Sequence, residues 1–543
     1  EGNPLVLLET LRTLLESGEL NLEPVDSETG GKPPILPIPR QVQDLIRMRL
    51  TALSEEQRRV LNAAAVIGRP CSLHLLRQIS GLPELQLLDR IEHLLACSFL
   101  EEKNDAMPQG LLVFQHNYYR QVIYQDLRAM QQQLLHRRVA EALLAGHKIR
   151  PETIIEEVAY HFEQAGDPQA VTYLAQAAQQ AEALFALDHA AALYSRALIF
   201  QERYLDLDRN GRFDLLLARE AVLARQGRRA EQSGDVTSLI KLADSLGDPE
   251  RQALACLRQV ELFVYTGQHP EARRVGEQAL VIYRQIGNKK GQAQTLREFG
   301  FLHWTTGDYG AALTYNRDAL QLHRQLGDIE GEATALHNLA EIYRGLGSPR
   351  QALTQYELAL NLHWAQQERR RQGLTLYGMA HTLRQIGQND EALVRYEQAL
   401  THCQAAGDRL MTSRVQHTLA GLYWEMGVLE QAVAYMQQAL TISREIGYGS
   451  GIAHGLIALS YLGMQQENLA LAHQYLTEAI TWLKLIEDQP GVAEAQARLA
   501  TLETGFLDPM APPVTLGWVK DNVVLAEGKI YCEFESPMAQ RKA

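Results

Sequence analysis

The hydrophobic pattern of the chain is dominated, over its second half, by small residues that recur every 40 residues. Apolar residues between them follow helical spacing, so each period predicts two antiparallel helices that approach closely at the small residues. A glycine in each period marks the turn between the two helices. The series are Ala272, Ala312, Ala352, Ala392, Ala432 and Ala472; Ala279, Ala319, Ala359, Ala399, Ala439 and Ala479; Gly300, Ala340, Ala380, Ala420 and Ser460; and Gly267, Gly307, Gly347, Gly387 and Gly427.

One period shows the pattern in full: ATALHNLAEIYRGLGSPRQALTQYELALNL, residues 333–362. This pattern resembles the tetratricopeptide repeat in its longer-helix form, over about residues 250–485. Residues 165–198 resemble earlier, less regular units, and residues 205–250 are helical but off-consensus. The resemblance implies an α-solenoid, a right-handed superhelix of helix pairs in which each repeat packs mainly on its neighbours.

The repeat phase assigns a set of side chains to the first helices, which line the concave face of such an array. Aromatic and arginine side chains are the usual anchors of binding surfaces, so we expect a protein or peptide partner in this groove. Packing between repeats is the alternative role for the same residues. No histidine pair has tight ligand spacing, and no metal is expected. The candidates are Arg297, Phe301, Trp304, His337, Glu341, Arg344, Tyr377, His381, Arg384, His417, Trp424 and Tyr461.

Residues 40–146 follow a different pattern, of helices followed by a hairpin. Ser54 with Gln57 three residues later forms a capping-box signature, and Ser72 is a candidate cap of the next short helix. The segments LEEK and LLVFQH predict two strands around the turn residues NDAMPQG. This order is the winged-helix pattern. Its third helix, residues 83–98, and its wing are predominantly acidic, so we expect no nucleic acid here.

The order of segments from GNPLVLLETLRTLLESGEL through FQHNYYRQVIYQDL to VAYHFEQAGD resembles the C-terminal half of the signal-transduction ATPases with numerous domains (STAND), in the bacterial branch with tetratricopeptide repeats. The resemblance covers about residues 1–485. It implies an ATPase module upstream of this chain, which would bind ATP or ADP with Mg²⁺ and carry an effector such as an adenylate cyclase. The winged helix would couple partner binding in the groove to that module. A homo-oligomer formed on activation is an outcome the resemblance leaves open.

Four residues match nucleotide-sensing positions of that class. Gly2, Asn3 and Pro4 match a Gly-x-Pro element that opens the helical lid behind the nucleotide. His116, at the end of the predicted hairpin, matches a histidine that senses the terminal phosphate, with Arg120 one turn later. A histidine at the start of a helix can donate to a phosphate oxygen. The alternative is that His116 caps its own helix.

The chain as given is predicted not to be an enzyme. It contains no GxxxxGK[ST] loop to cradle phosphates and no catalytic signature. We expect no cofactor in this chain. The net charge of −13 argues against nucleic acid, the five scattered cysteines favour a cytoplasmic protein, and the lack of a long apolar run argues against a membrane span. The rival functions are a non-enzymatic scaffold and a transcriptional regulator.

After Glu503 the helical pattern gives way to alternation, which predicts a β-hairpin tail or the start of a truncated domain. The predicted fold class is therefore mostly α with a short hairpin at the end. The predicted domains are 1–25, helical lid segment; 26–39, Pro-rich linker; 40–146, winged-helix-like; 147–250, irregular repeats; 251–503, repeats of period 40; and 504–543, tail.

Overall fold

A computed structural model describes residues 40–103, 110–146, 154–184, 186–204, 208–465, 468–486, 488–504, 522–526 and 529–533. The predicted lid segment and linker lie outside the described residues, as do Gly2, Asn3 and Pro4. The described residues form two compact units. The first ends at Gln180 and also takes Ala192–Asp208, whereas the second comprises Ala181–Ala191 and the residues from Arg209 onward. No helix in the described residues is long and apolar enough to span a bilayer.

The first unit holds short helices around one apolar core. Its helices begin where the sequence predicts. The Ser54 hydroxyl accepts from the Gln57 backbone N–H at 3.3 Å, the Gln57 side chain accepts from the Ser54 N–H at 2.8 Å, and Ser72 accepts from the Leu75 N–H. The elements are α1 Arg40–Thr51, α2 Glu55–Ile67, α3 Leu73–Ser80, α4 Glu84–Ala96, β1 Leu100–Lys103, β2 Leu111–Phe114, α5 Asn117–Asp126, α6 Ala129–Gly146, α7 Ile155–Ala165, α8 Gln169–Ala183 and α9 Leu187–Tyr204. Helices α8 and α9 each contribute residues to both units.

The hairpin of this unit is antiparallel, with Leu100 opposite Phe114 and Lys103 opposite Leu111. A bridge between Cys71 and Leu112 adds one more pairing on the far side of β2. The order of helices and strands is the one the sequence predicts, while assignment to the winged-helix class stays a prediction.

The second unit is a run of helix pairs. The first pair is α10 with α11, the last is α22 with α23, and the single helix α24 follows them. The helices are α10 Arg209–Gln226, α11 Arg229–Leu246, α12 Pro249–Tyr265, α13 His269–Gln285, α14 Lys289–Thr305, α15 Tyr309–Leu326, α16 Ile329–Gly345, α17 Pro349–Ala365, α18 Arg369–Gln385, α19 Asn389–Ala406, α20 Arg409–Glu425, α21 Leu429–Glu445, α22 Gly449–Gln465, α23 Leu469–Leu485 and α24 Gln489–Thr504. Strands β3 Asn522–Ala526 and β4 Lys529–Glu533 pair antiparallel, which confirms the predicted hairpin.

Small residues set the spacing of these helices. All members of the two alanine series that start at Ala272 and Ala279 are fully buried. First helices of successive pairs also contact one another directly, as α12 does α14 and α16 does α18. We therefore call the first helices the inner layer, and the face they present the inner face. The predicted α-solenoid is confirmed.

Glycines follow both the first and the second helices of the pairs. Gly267 and its series follow the first helices with φ between 69° and 80°, a left-handed conformation that only glycine adopts without strain. A second series, which sequence analysis missed, follows the second helices. Its members are Gly247, Gly287, Gly327, Gly407 and Gly447. The remaining position in that series is Gln367, which adopts φ 58° although it carries a side chain.

Replacing Gln367 with glycine should stabilise the array. The Gln367 side chain is exposed, so the substitution mainly removes the cost of a left-handed conformation, about 1 kcal/mol. We expect Gln367→Gly to raise the urea midpoint. The matched control is Gly327→Gln, where φ is 64° and no atom lies within 4 Å of an added Cβ. That variant should lower the midpoint by a similar amount, and equal midpoints in all three proteins would contradict the assignment.

Candidate functional site

All the predicted groove residues lie on first helices, but the structure buries half of them. The buried set is at most 8% exposed, as the packing alternative requires. Its members are Arg297, Trp304, His337, Arg344, Tyr377 and His417. The other half remains partly open on the inner face. Its members are Phe301, Glu341, His381, Arg384, Trp424 and Tyr461.

The aromatic residues of the open set meet in two places. Phe301 stacks on Trp304 with ring centroids 5.9 Å apart, and Tyr265 adds a third ring at 5.8 Å from Phe301. Farther along the array, Trp424 and Tyr461 have centroids 5.9 Å apart. These two aromatic clusters join successive first helices, α12 to α14 and α20 to α22.

The predicted arginines are paired within the protein. Arg344 donates to Glu341 at 2.7 Å, and the same carboxylate accepts from the Tyr356 hydroxyl. Arg384 is paired with Glu425. Because these guanidinium groups already have carboxylate partners, they orient neighbouring side chains as well as offering charge to a ligand.

The buried histidines of the inner layer are held neutral. Burial lowers the pKa of His337 from its ordinary value of 6.5 to about 3, with Arg344 adding to the effect, and burial likewise lowers the pKa of His417 to about 3. His337 Nδ1 lies 3.3 Å from the Thr375 hydroxyl. Among the described residues, no group of three or more His, Cys, Asp or Glu is placed to hold a metal ion.

A pocket opens between α14 and α16 at the first aromatic cluster. Its enclosed space is only about 30 Å³, roughly enough for one water molecule. The predicted groove residues include four of its lining residues, Gly300 was named only as a small residue of the repeat, and Glu298, Asn316, Asn338 and Ile342 were missed. The lining residues are Arg297, Glu298, Gly300, Phe301, Trp304, Asn316, Asn338, Glu341 and Ile342. Glu298 and Asn338 are themselves 40 residues apart, so a periodicity search could have found them.

The nucleotide-sensing prediction is only partly within the described residues. His116 is exposed and is the N-cap residue of α5, but its side chain makes no cap hydrogen bond. Its ring lies 6.0 Å from that of Tyr119, and Arg120 Nε donates to the Asn117 side chain at 3.0 Å. The alternative role of His116 as a side-chain cap is therefore not observed. The sensing role stays a prediction.

Comparison with known proteins identifies the repeats. The tetratricopeptide-repeat family model matches residues 253–325, 292–363 and 371–445, which confirms the resemblance over this part of the chain. A comparison with curated proteins gives no match.

Several solved structures are similar to the chain at low identity. A STAND protein with a tetratricopeptide repeat sensor from Pyrococcus horikoshii is 14% identical, with 88% of this chain and 68% of that one covered and a TM-score of 0.44. A Rap protein complexed with Competence and Sporulation Factor is 13% identical over 62% and 98%, with a TM-score of 0.37. The apo quorum sensor NprR from B. thuringiensis is 14% identical over 56% and 83%, with a TM-score of 0.40. With all three TM-scores below 0.5, these likenesses carry no weight for function.

Acid should destabilise the array partly through its buried histidines. Since folding depresses the pKa of His337, the native state stays neutral while the unfolded state takes up a proton below pH 6.5. The unfolding free energy should therefore fall as pH decreases from 6.5 towards 3, by at most about 1.4 kcal/mol per pH unit for this residue. We expect His337→Gln to flatten the acid limb of the stability curve, measured by urea unfolding between pH 7 and about 4.5. His473→Gln, at an exposed histidine on α23, should leave that limb unchanged. A limb equally steep in His337→Gln would contradict the buried neutral state.

Proposed function

We propose that the repeat array binds a peptide segment of a protein partner along its inner face. The observation that carries this proposal is a row of partly exposed aromatic and charged side chains. They lie on helices that are otherwise surrounded by their neighbours. Phe301 and Trp424, at the two aromatic clusters, are the leading anchors. Large aromatic side chains in desolvated surroundings dominate the binding energy of many interfaces.

The form of the inner face favours an extended peptide over a folded domain. Residues 371–380 of α18 are all buried, so at this level neighbouring helices already occupy the space around the first helix. Few side chains there are partly accessible to a ligand, and on α18 they include His381 and Arg384. Tetratricopeptide arrays present extended surfaces of this kind, along which a chain can contact one repeat after another.

Removing one aromatic anchor should weaken peptide binding. We expect peptides selected from a displayed random decapeptide library on the purified chain to bind Trp424→Ala at least ten-fold more weakly, as measured by fluorescence anisotropy. The control is Trp364→Ala, because Trp364 is 49% exposed and lies on α17, the second helix of its pair and so outside the inner layer. If no peptides are enriched, or if both variants weaken them equally, the inner face is not the binding surface.

We further propose that this chain is the sensing part of a STAND-class signalling ATPase. The order of sequence segments supports this, together with an exposed imidazole at the N-terminus of α5 that is not committed to capping. Partner binding in the array would then shift the nucleotide module between a closed and an open state. Such a shift requires the partner to bind the two states with different affinity.

The coding DNA upstream of the Glu1 codon tests this second proposal. We expect an in-frame GxxxxGK[ST] loop followed by an acidic strand end, because nucleotide binding needs both the phosphate cradle and a ligand for Mg²⁺. With that module present, His116→Ala should change the basal rate of ATP hydrolysis while Trp424→Ala should change only its response to the partner peptide. A stop codon close upstream would leave the scaffold alternative.

A further inference from the structure

Three carboxylates are buried in the inner layer, where two arginines lie beside them. The carboxylates are Glu220 on α10, Glu261 on α12 and Glu298 on α14, each no more than 3% exposed. Arg258 donates to Glu261 Oε2 at 3.0 Å and lies 3.9 Å from Glu220 Oε2, whereas Arg297 donates to Glu298 Oε1 at 2.8 Å. We call these five residues the inner acidic cluster.

Each carboxylate of the inner acidic cluster keeps one oxygen without a hydrogen-bond donor. These atoms are Glu220 Oε2, Glu261 Oε1 and Glu298 Oε2. A buried charged acceptor that lacks a donor is costly, because it has lost its hydrogen bonds to water. Burial, with the neighbouring carboxylates adding to the effect, raises the pKa of Glu261 to about 8.

Glu298 lines the pocket between α14 and α16, and so does Asn316 on the second helix between them. Asn316 on α15 is 1% exposed, and its amide nitrogen donates to the Ala312 carbonyl at 3.0 Å. Its Oδ1 is left without a donor. Gly300 provides the room for this side chain, since a Cβ there would lie 2.0 Å from Asn316 Nδ2. Two lining residues of the pocket, Glu298 and Asn316, thus each have a buried oxygen that lacks a donor.

The pocket is lined by two carboxylates, Glu298 and Glu341, and by one guanidinium, that of Arg297, which is paired with Glu298. Phe301 and Trp304 form one side of it, and a cation near an aromatic ring face is attracted by the ring quadrupole. The same array already places cations in this way. The Arg229 guanidinium lies 4.2 Å from the ring centroid of Tyr265, and Arg498 lies 4.3 Å from that of Tyr461.

We propose that this pocket takes the ammonium or guanidinium group of a lysine or arginine side chain of the bound peptide. A lysine ammonium brings three donors and an arginine guanidinium five. Either group has enough donors for the two unsatisfied acceptors of Glu298 and Asn316. The enclosed space admits only the tip of a side chain, so the rest of the ligand lies on the open inner face, past Phe301 and Glu341. The occupant is thus a peptide residue. This inference rests on the peptide-binding function proposed above.

The test compares selected peptides that differ in one side chain. Decapeptides enriched on the wild-type chain are sequenced, and we expect one position to be dominated by lysine or arginine. A synthetic copy of an enriched peptide, with that residue replaced by norleucine, should bind the wild type at least ten-fold more weakly. On Glu298→Gln the same replacement should change the affinity by less than two-fold, because the charge it pairs with is gone.

Two further variants make the result decisive. Glu357→Gln, the same change at an exposed position of α17, should keep the full ten-fold preference. If Glu298→Gln does not fold, Asn316→Leu removes the second acceptor from α15 and should abolish the preference instead. Enriched peptides without a preferred basic residue would overturn this inference while the proposed peptide binding stood. Failure to enrich any peptide would overturn both.

Discussion

Close approach of helices at buried alanines is the constraint on which the repeat array depends. At Ala312 and Ala319, and at their equivalents in the other repeats, the buried side chain is a single methyl group. A larger side chain at these positions would force the close-packed helices apart. Because the period is constant, residues of one phase then follow one another along the inner layer. Phe301, Glu341 and His381 form such a series, and the candidate site is a consequence of that alignment.

The same close packing explains why so many charged side chains of the inner layer are paired. First helices are enclosed by their own partner and by the first helices on either side, so a polar side chain there loses water on folding. A buried charge is tolerated only when it is paired and hydrogen-bonded. Arg344 with Glu341 meets this condition, as does Arg297 with one oxygen of Glu298. The pocket lined by Glu298 and Asn316 departs from it, which is why it stands out as a site.

Sequence analysis could predict what depends on periodicity or on local backbone chemistry. The helix pairs, the caps at Ser54 and Ser72 and the two hairpins all have local signatures, and all are present. Phase alone could not tell that Trp304 is buried while Phe301 stays partly open. That difference depends on how closely the side chains of the next repeat approach each ring. Those side chains are not at the positions that repeat every 40 residues.

The residues that sequence analysis missed show the same limit. Glu261 has the phase of Phe301 and Glu341, so extending the series by one repeat would have included it. Glu220 falls 41 residues before Glu261, one residue off the period, although the helices that carry them begin 40 residues apart, at Arg209 and Pro249. Its place in the inner acidic cluster is set by tertiary packing alone.

An array of this kind also has a direct way to respond to a ligand. In a repeat protein, stability is approximately a sum of terms within repeats and between nearest neighbours. A peptide that contacts both the α14 cluster around Phe301 and the α20/α22 cluster around Trp424 would link repeats that otherwise do not touch. Such a ligand adds to the stability an interaction between distant repeats. This interaction favours one relative arrangement of the repeats that lie between its two contacts. Occupancy of the inner face would thereby become a property of the whole array, as a sensing role requires.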